Sequence, residues 1–86
     1  MGDLERLQIL TEIIGEFKTA IMMDQEAEKT GRLVLEVIQE TGDDQLTAAV
    51  MNAYMKRTNI ESAVHYLNDA ISYLHHCIDQ VLHHQS

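Results

Sequence analysis

The sequence predicts an all-α protein, a long antiparallel helical hairpin that dimerises into a four-helix bundle, and three observations support this prediction. The 86 residues include no proline and four glycines, and Leu, Ile, Ala, Met, Glu and Gln dominate the segments between them, a composition typical of helices. Apolar residues recur at spacings of three and four on both sides of one mid-chain turn. Folding the chain at that turn places the two apolar patterns opposite each other.

The first predicted helix spans residues 3–41 of the single domain 1–86. Its apolar seam, the row of side chains expected to face the second helix, is interrupted at Asp24 and Glu28. The seam consists of Leu7, Leu10, Ile14, Phe17, Ile21, Gly31, Leu35 and Ile38. Because Gly42 favours a helix end and an aspartate favours a helix start, we predict a turn at residues 42–44.

The second predicted helix spans residues 45–84 and repeats the same spacing. Its seam consists of Leu46, Val50, Ala53, Ile60, Val64, Leu67, Ile71, Leu74, Ile78 and Val81. The seam is interrupted at Arg57, which a hairpin would place opposite Glu28. We expect these two residues to form an ion pair that penalises other registers. Alternatively, both long side chains extend to solvent.

Two local patterns indicate kinks near residues 29–31 and 57–59. Lys29-Thr30-Gly31 resembles a helix end, and Thr58-Asn59-Ile60-Glu61 has the form of a capping box. Joints of one or two residues are too short to fold a helix back on itself, so we expect two long helices. The alternative is four helices at residues 3–29, 32–41, 44–57 and 59–84.

A second apolar row flanks the seam and predicts a homodimer. Its members are Ile13, Ala20, Ala27, Val34, Ala63, Ala70 and Cys77. A face this wide suits a helix that packs against two neighbours. A chain this short also buries a small fraction of its surface when it folds alone. We therefore expect two hairpins to associate through this dimer face.

Composition excludes several classes of partner. A net charge of −8 disfavours nucleic acid and favours a partner with a basic surface, although such a charge also serves solubility. The longest apolar runs have three residues, so we predict neither a membrane span nor a signal peptide. A single cysteine fits a reducing compartment, and we expect a cytoplasmic protein.

The sequence predicts a protein-binding role without a cofactor. It contains neither a nucleophile–base pair nor a glycine-rich phosphate loop, so we predict an adaptor, chaperone or inhibitor rather than an enzyme, as among small phage or secretion-associated proteins. Methionines suit adaptable surfaces and tyrosines anchor interfaces. The predicted partner-binding residues are Met22, Met23, Leu33, Tyr54, Met55, Tyr66 and Tyr73. Alternatively, the apolar members complete the dimer core.

Two other functions remain open at this point. A stripe of histidines and aspartates follows one face of the second helix, and His76, Asp79 and His83 have a spacing that could hold Zn²⁺ or Ni²⁺. The same stripe could be a solvated polar face. The second alternative is an acidic mimic of nucleic acid, which would present carboxylates to a DNA-binding protein.

Overall fold

A computed structural model of the protein describes residues 2–84 and contains four helices. They are α1 (Asp3–Met23), α2 (Ala27–Glu40), α3 (Asp44–Met55) and α4 (Ile60–His84). The predicted all-α class is confirmed. The prediction of a hairpin made of two long helices is wrong, because each predicted arm is divided into two helices.

The four helices form one up-down-up-down bundle. Each helix packs against its neighbours in sequence, and α1 also packs against α4. The bundle measures 42 × 21 × 21 Å, whereas a continuous arm of the predicted length would extend about 60 Å at 1.5 Å per residue. The four-helix bundle predicted from two copies is thus formed by a single chain.

The chain reverses between α1 and α2 at residues 24–26. Asp24 and Glu26 both have φ of 53°, in the left-handed region. The amides of Asp24 and Gln25 donate to the carbonyls of Ile21 and Ala20, which closes the end of α1. Three residues therefore suffice to fold the helix back, and the predicted kink at residues 29–31 lies inside α2.

The other two turns are closer to the prediction. Gly42 has φ of 74°, and Asp43 Oδ1 accepts a hydrogen bond from the amide of Leu46 at 3.1 Å, which caps α3 as expected. Between α3 and α4, Asn59 Oδ1 accepts from the amide of Ser62 at 3.3 Å. Asn59 therefore caps α4, one residue after the Thr58 of the predicted capping box.

The core combines the predicted seam with part of the predicted dimer face. The buried apolar residues are Leu10, Ile14, Phe17, Ile21, Val34, Leu35, Ile38, Leu46, Val50, Ala53, Ala63, Leu67, Ala70 and Leu74. Val34, Ala63 and Ala70 were predicted to lie in the dimer face. The other predicted members of that face are half-buried, and they are Ile13, Ala20, Ala27 and Cys77. Each helix has two neighbours within the chain, and this explains its wide apolar face.

Helix α2 approaches α1 and α3 closely at Gly31. A Cβ atom at this position would lie 2.6 Å from the Phe17 ring and 3.0 Å from the Tyr54 ring. The distance to the Phe17 ring is shorter than packed side chains allow, and the distance to the Tyr54 ring is at the limit. The glycine is therefore required by packing, although it lies in the middle of a helix.

Candidate binding surfaces

The connection between α1 and α2 (residues 24–26) and the connection between α3 and α4 (residues 56–59) lie side by side at one end of the bundle, and we term them the joints. A shallow depression there is lined by residues of both joints, including Asp24, Glu26, Arg57 and Thr58. Four large apolar side chains at this end are exposed. They are Met22 (58 %), Met23 (59 %), Met55 (72 %) and Ile60 (47 %), which we term the methionine patch.

Three members of the methionine patch were predicted to bind a partner, and the fourth was not. Met22 and Met23 are at the end of α1, Met55 ends α3 and Ile60 begins α4. Ile60 was predicted in the seam, but its position at the first residue of α4 places it outside the core. Leu33, also a predicted binding residue, is 55 % exposed on α2 and lies apart from this patch.

Tyr54 organises the structure beneath the joints. Its hydroxyl donates to Glu28 Oε1 at 3.1 Å, and the Arg57 guanidinium lies 4.7 Å from the centre of its ring. Arg57 also donates to the Tyr54 carbonyl at 2.9 Å. The ion pair of Glu28 is with Arg32, at 3.3 Å. The predicted register residues Glu28 and Arg57 are thus brought together on Tyr54, a contact that sequence spacing did not indicate.

An open cleft of about 290 Å³ occupies the opposite end of the bundle. Helices α1 and α4, of 21 and 25 residues, are longer than α2 and α3, of 14 and 12 residues, and the cleft forms beside the start of α1 and the end of α4. Its floor is apolar and its rim is polar. The floor and walls consist of Leu7, Leu10, Leu46, Leu74, Cys77 and Val81, and the rim of Asp3, Arg6, Thr41, Asp43 and Tyr73. We term this the apolar cleft.

Tyr73 connects α4 to the turn at the edge of the apolar cleft. Its hydroxyl donates to Asp43 Oδ2 at 2.5 Å, while Oδ1 of the same carboxylate caps α3. The hydrogen bond to Asp43, with a smaller contribution from burial, raises the pKa of Tyr73 to about 12. Tyr73 and Tyr66, both predicted to bind a partner, are half-buried and line one groove between α3 and α4.

Most of the negative charge of the protein lies in the half of the bundle that contains the apolar cleft, and Asp3 and Asp43 line the cleft itself. Residues 3–12, 36–46 and 71–84 contain eight carboxylates and one basic side chain, Arg6, apart from histidines. The carboxylates are Asp3, Glu5, Glu12, Glu36, Glu40, Asp43, Asp44 and Asp79. The other five Lys and Arg residues lie towards the methionine patch. The sequence shows the total charge but not this uneven distribution, because the fold brings three distant segments together.

The polar stripe of α4 does not assemble a metal site. His76 Nε2 lies 3.1 Å from Gln80 Nε2, and His83 Nδ1 lies 2.8 Å from the backbone oxygen of Asp79 rather than its carboxylate. Within residues 2–84, no three His, Cys, Asp or Glu side chains are arranged to hold a metal ion. These side chains instead make local contacts along an exposed face.

Comparisons with known proteins identified no relative of this chain. A scan against protein-family models, a search of curated proteins and a search of solved structures found no match to this chain. None of the helices described between residues 2 and 84 is both long and apolar enough to cross a membrane. The two surfaces at the ends of the bundle are therefore the basis for inferring a function.

Proposed function

We propose that this chain is a small, non-catalytic protein-binding module that contacts its partner through the methionine patch. The observation that carries the proposal is the exposure of four large apolar side chains at one end of the bundle. Large apolar side chains that are exposed together at one end of a small folded domain are typical of an interaction site. Methionine side chains are flexible and polarisable, so such a patch adapts to the shape of a partner.

The surroundings of the methionine patch support this proposal. The ordered cluster of Glu28, Tyr54 and Arg57 supports the joints, so the patch projects from a packed base. Acidic and basic side chains, including Asp24 and Lys56, occur together at this end. An apolar centre with a polar rim of mixed charge is the usual composition of a protein interface.

The proposed setting is the cytoplasm, where the protein acts as an adaptor, chaperone or inhibitor. The single cysteine of the sequence, Cys77, supports this setting because it is a free, half-buried thiol that fits a reducing compartment. Binding through an apolar patch depends weakly on ionic strength, because salt screens charge–charge interactions rather than apolar contacts.

Photocrosslinking from the methionine patch tests the proposal. A photoreactive phenylalanine analogue replaces Met55 or Met22 in the full chain, which is expressed in cells of the source organism. We expect one partner adduct from both positions. The matched control is Leu82, which is 47 % exposed at the other end of α4. The same analogue there should leave that adduct unformed.

A double variant provides the second arm of this experiment. Met22→Gln with Met55→Gln keeps the side-chain length but removes apolar character, so it should abolish capture of the crosslinked partner while the helical circular dichroism is unchanged. Leu82→Gln is the control variant. Absence of an adduct at both patch positions, or equal adducts from Leu82, would contradict the proposal.

A further inference from the structure

We propose that the apolar cleft binds a basic amphipathic helix of a partner protein. In this complex, apolar side chains of the helix contact Leu7, Cys77 and Val81, while its Lys and Arg side chains face the surrounding carboxylates. The cleft lies at the end of the bundle opposite the methionine patch. This second binding site therefore goes beyond the proposed function and does not depend on it.

The shape of the apolar cleft fits a helix side better than a small-molecule ligand. Its volume of about 290 Å³ is at the lower limit for ligand pockets, and it is open along one side. Leu7, Cys77 and Val81 are half-exposed in its walls, above the buried Leu10 and Leu74. A few apolar side chains of a docked helix would fill it, as in other helix-in-groove complexes.

The packing of the bundle also indicates a helical occupant. Helix α2 ends and α3 begins at the turn beside the cleft, whereas α1 and α4 continue past it with apolar residues still lining the cleft. No helix of residues 2–84 covers this continuation. A helix from a partner would occupy the space that α2 and α3 leave, and would extend the same helix-on-helix packing.

The charge around the apolar cleft selects the chemistry of the occupant. Asp3 and Asp43 line the cleft, and the segments of this half of the bundle carry eight carboxylates and, apart from histidines, one basic side chain, Arg6. A basic segment is therefore attracted and an acidic one repelled. A second copy of this chain would bring the same negative charge to the interface. Nucleic acid and anionic lipid would be repelled for the same reason. Among these occupants, the charge favours the basic helix.

The first test uses a synthetic amphipathic peptide of lysine and leucine, labelled with a fluorophore. Anisotropy titration with the full chain should show saturable binding. Nuclear magnetic resonance of the ¹⁵N-labelled chain should show shifts that cluster at residues 3–10, 41–46 and 73–82. Because the unaltered chain is used, this mapping is independent of the folding of any variant. Shifts that cluster on the methionine patch would overturn the proposal.

Two peptide controls separate the contributions of charge and apolar contact. A lysine–serine peptide keeps the charge but cannot fill the cleft, and a glutamate–leucine peptide keeps the apolar face with the opposite charge. Both should bind at least about tenfold more weakly than the lysine–leucine peptide, which corresponds to about 1.4 kcal/mol. Equal binding of either control peptide would overturn the proposal.

A pair of adjacent residues provides matched variants of the protein. Val81 lines the cleft, whereas its neighbour Leu82 is exposed and outside it. Val81→Ser should weaken binding of the lysine–leucine peptide about tenfold, and Leu82→Ser should leave it unchanged. Equal effects of the two substitutions would contradict the assignment. So would a concentration-dependent dimer, seen by light scattering, that Val81→Ser abolishes, because the occupant would then be a second copy.

Carboxylate variants test the charge component. Asp3→Asn removes a rim charge and should weaken peptide binding a few-fold at low salt, with a smaller effect at high salt. Glu61→Gln, at the other end of the bundle, is the matched control. Failure of this experiment would leave the crosslinking from Met55 unaffected, since the two sites are at opposite ends. An Asp3→Asn effect no larger than that of Glu61→Gln would overturn the charge selection.

Discussion

The two ends of the bundle differ in how the core is closed. At the joint end, Phe17, Gly31 and Tyr54 are in close contact, and Glu28 and Arg57 cover them with polar contacts. At the cleft end, the core reaches the surface, and the contact between Tyr73 and Asp43 closes one side. The joint end is thus closed by packing, and the cleft end is only partly closed by a hydrogen bond.

Helix length and charge explain this difference. The longer α1 and α4 extend past the turn between α2 and α3, so the apolar residues at the start of α1 and at the end of α4 have fewer neighbours. The same end carries most of the net negative charge, which opposes compaction. Stability is therefore expected to be concentrated at the joint end, while the cleft end retains surface for binding.

The largest expected effect comes from adding a side chain at Gly31, where the packing leaves no room for one. Gly31→Ala places a Cβ atom 2.6 Å from the buried Phe17 ring. Overpacking of this kind costs about 1–3 kcal/mol, of which the better helix propensity of alanine recovers up to about 1 kcal/mol. We expect a net loss in the free energy of unfolding, measured by urea denaturation.

Gly15 provides the matched control for this substitution. It lies in the middle of α1, and a Cβ atom there would meet nothing within 4 Å. Gly15→Ala should therefore stabilise the protein by about 0.5–1 kcal/mol. A Gly31→Ala protein as stable as the Gly15→Ala protein would mean that the joint end is loosely packed, and the contrast between the two ends would be lost.

Asp43 and Asn59 allow the turns at the two ends to be compared. Each caps a helix, but Asp43 also accepts the hydrogen bond of Tyr73. Asn59→Ala should cost about 1 kcal/mol as a lost cap. Asp43→Ala should cost about 1–2 kcal/mol, because a second hydrogen bond is lost with the cap. Equal losses on urea denaturation would show that the Tyr73 contact contributes no stability.

The spacing of apolar residues was enough to predict the all-α class and most of the core, but not the division of each predicted arm into two helices. The turn at Gly42 and Asp43 was predictable because glycine and aspartate have strong preferences at helix ends. The reversal at Asp24 and Glu26 was missed because non-glycine residues rarely adopt the left-handed conformation found there. A helix that folds back and one that continues have the same apolar spacing, and this ambiguity produced the predicted hairpin.

The candidate binding surfaces were only partly predictable for a related reason. Met22 and Met55 were selected by their chemistry and position off the seam, and both are exposed. The apolar cleft depends on the difference in helix length, which follows from the missed reversal. Tyr73 has a polar partner thirty residues away in the sequence, and no local pattern connects it to Asp43. A surface formed by segments that are distant in the sequence can be predicted only after the fold is known.

Below pH 10 the stability of the protein should be unaffected by the titration of Tyr73, so the last expected effect is confined to alkaline pH. The fold raises the pKa of Tyr73 from 10.0 to about 12 through the hydrogen bond to Asp43. The neutral phenol is therefore the form that the folded state favours. Its contribution to stability should be complete below pH 10 and should be lost as the pH rises from 10 towards 12. Tyr73→Phe should lack this part of the pH dependence.

The absorbance of the phenolate, measured as the difference between the unaltered chain and Tyr73→Phe, reports this titration directly. Asp43→Asn keeps a good helix cap but removes the charged acceptor, so it should return the pKa of Tyr73 towards its ordinary value. If Tyr73 titrates at its ordinary value in the unaltered chain, the bond to Asp43 is not maintained in solution. The cleft would then be open on both sides. The core at the cleft end would be covered only when a partner helix binds, whereas the core at the joint end is covered by the packing of the chain itself.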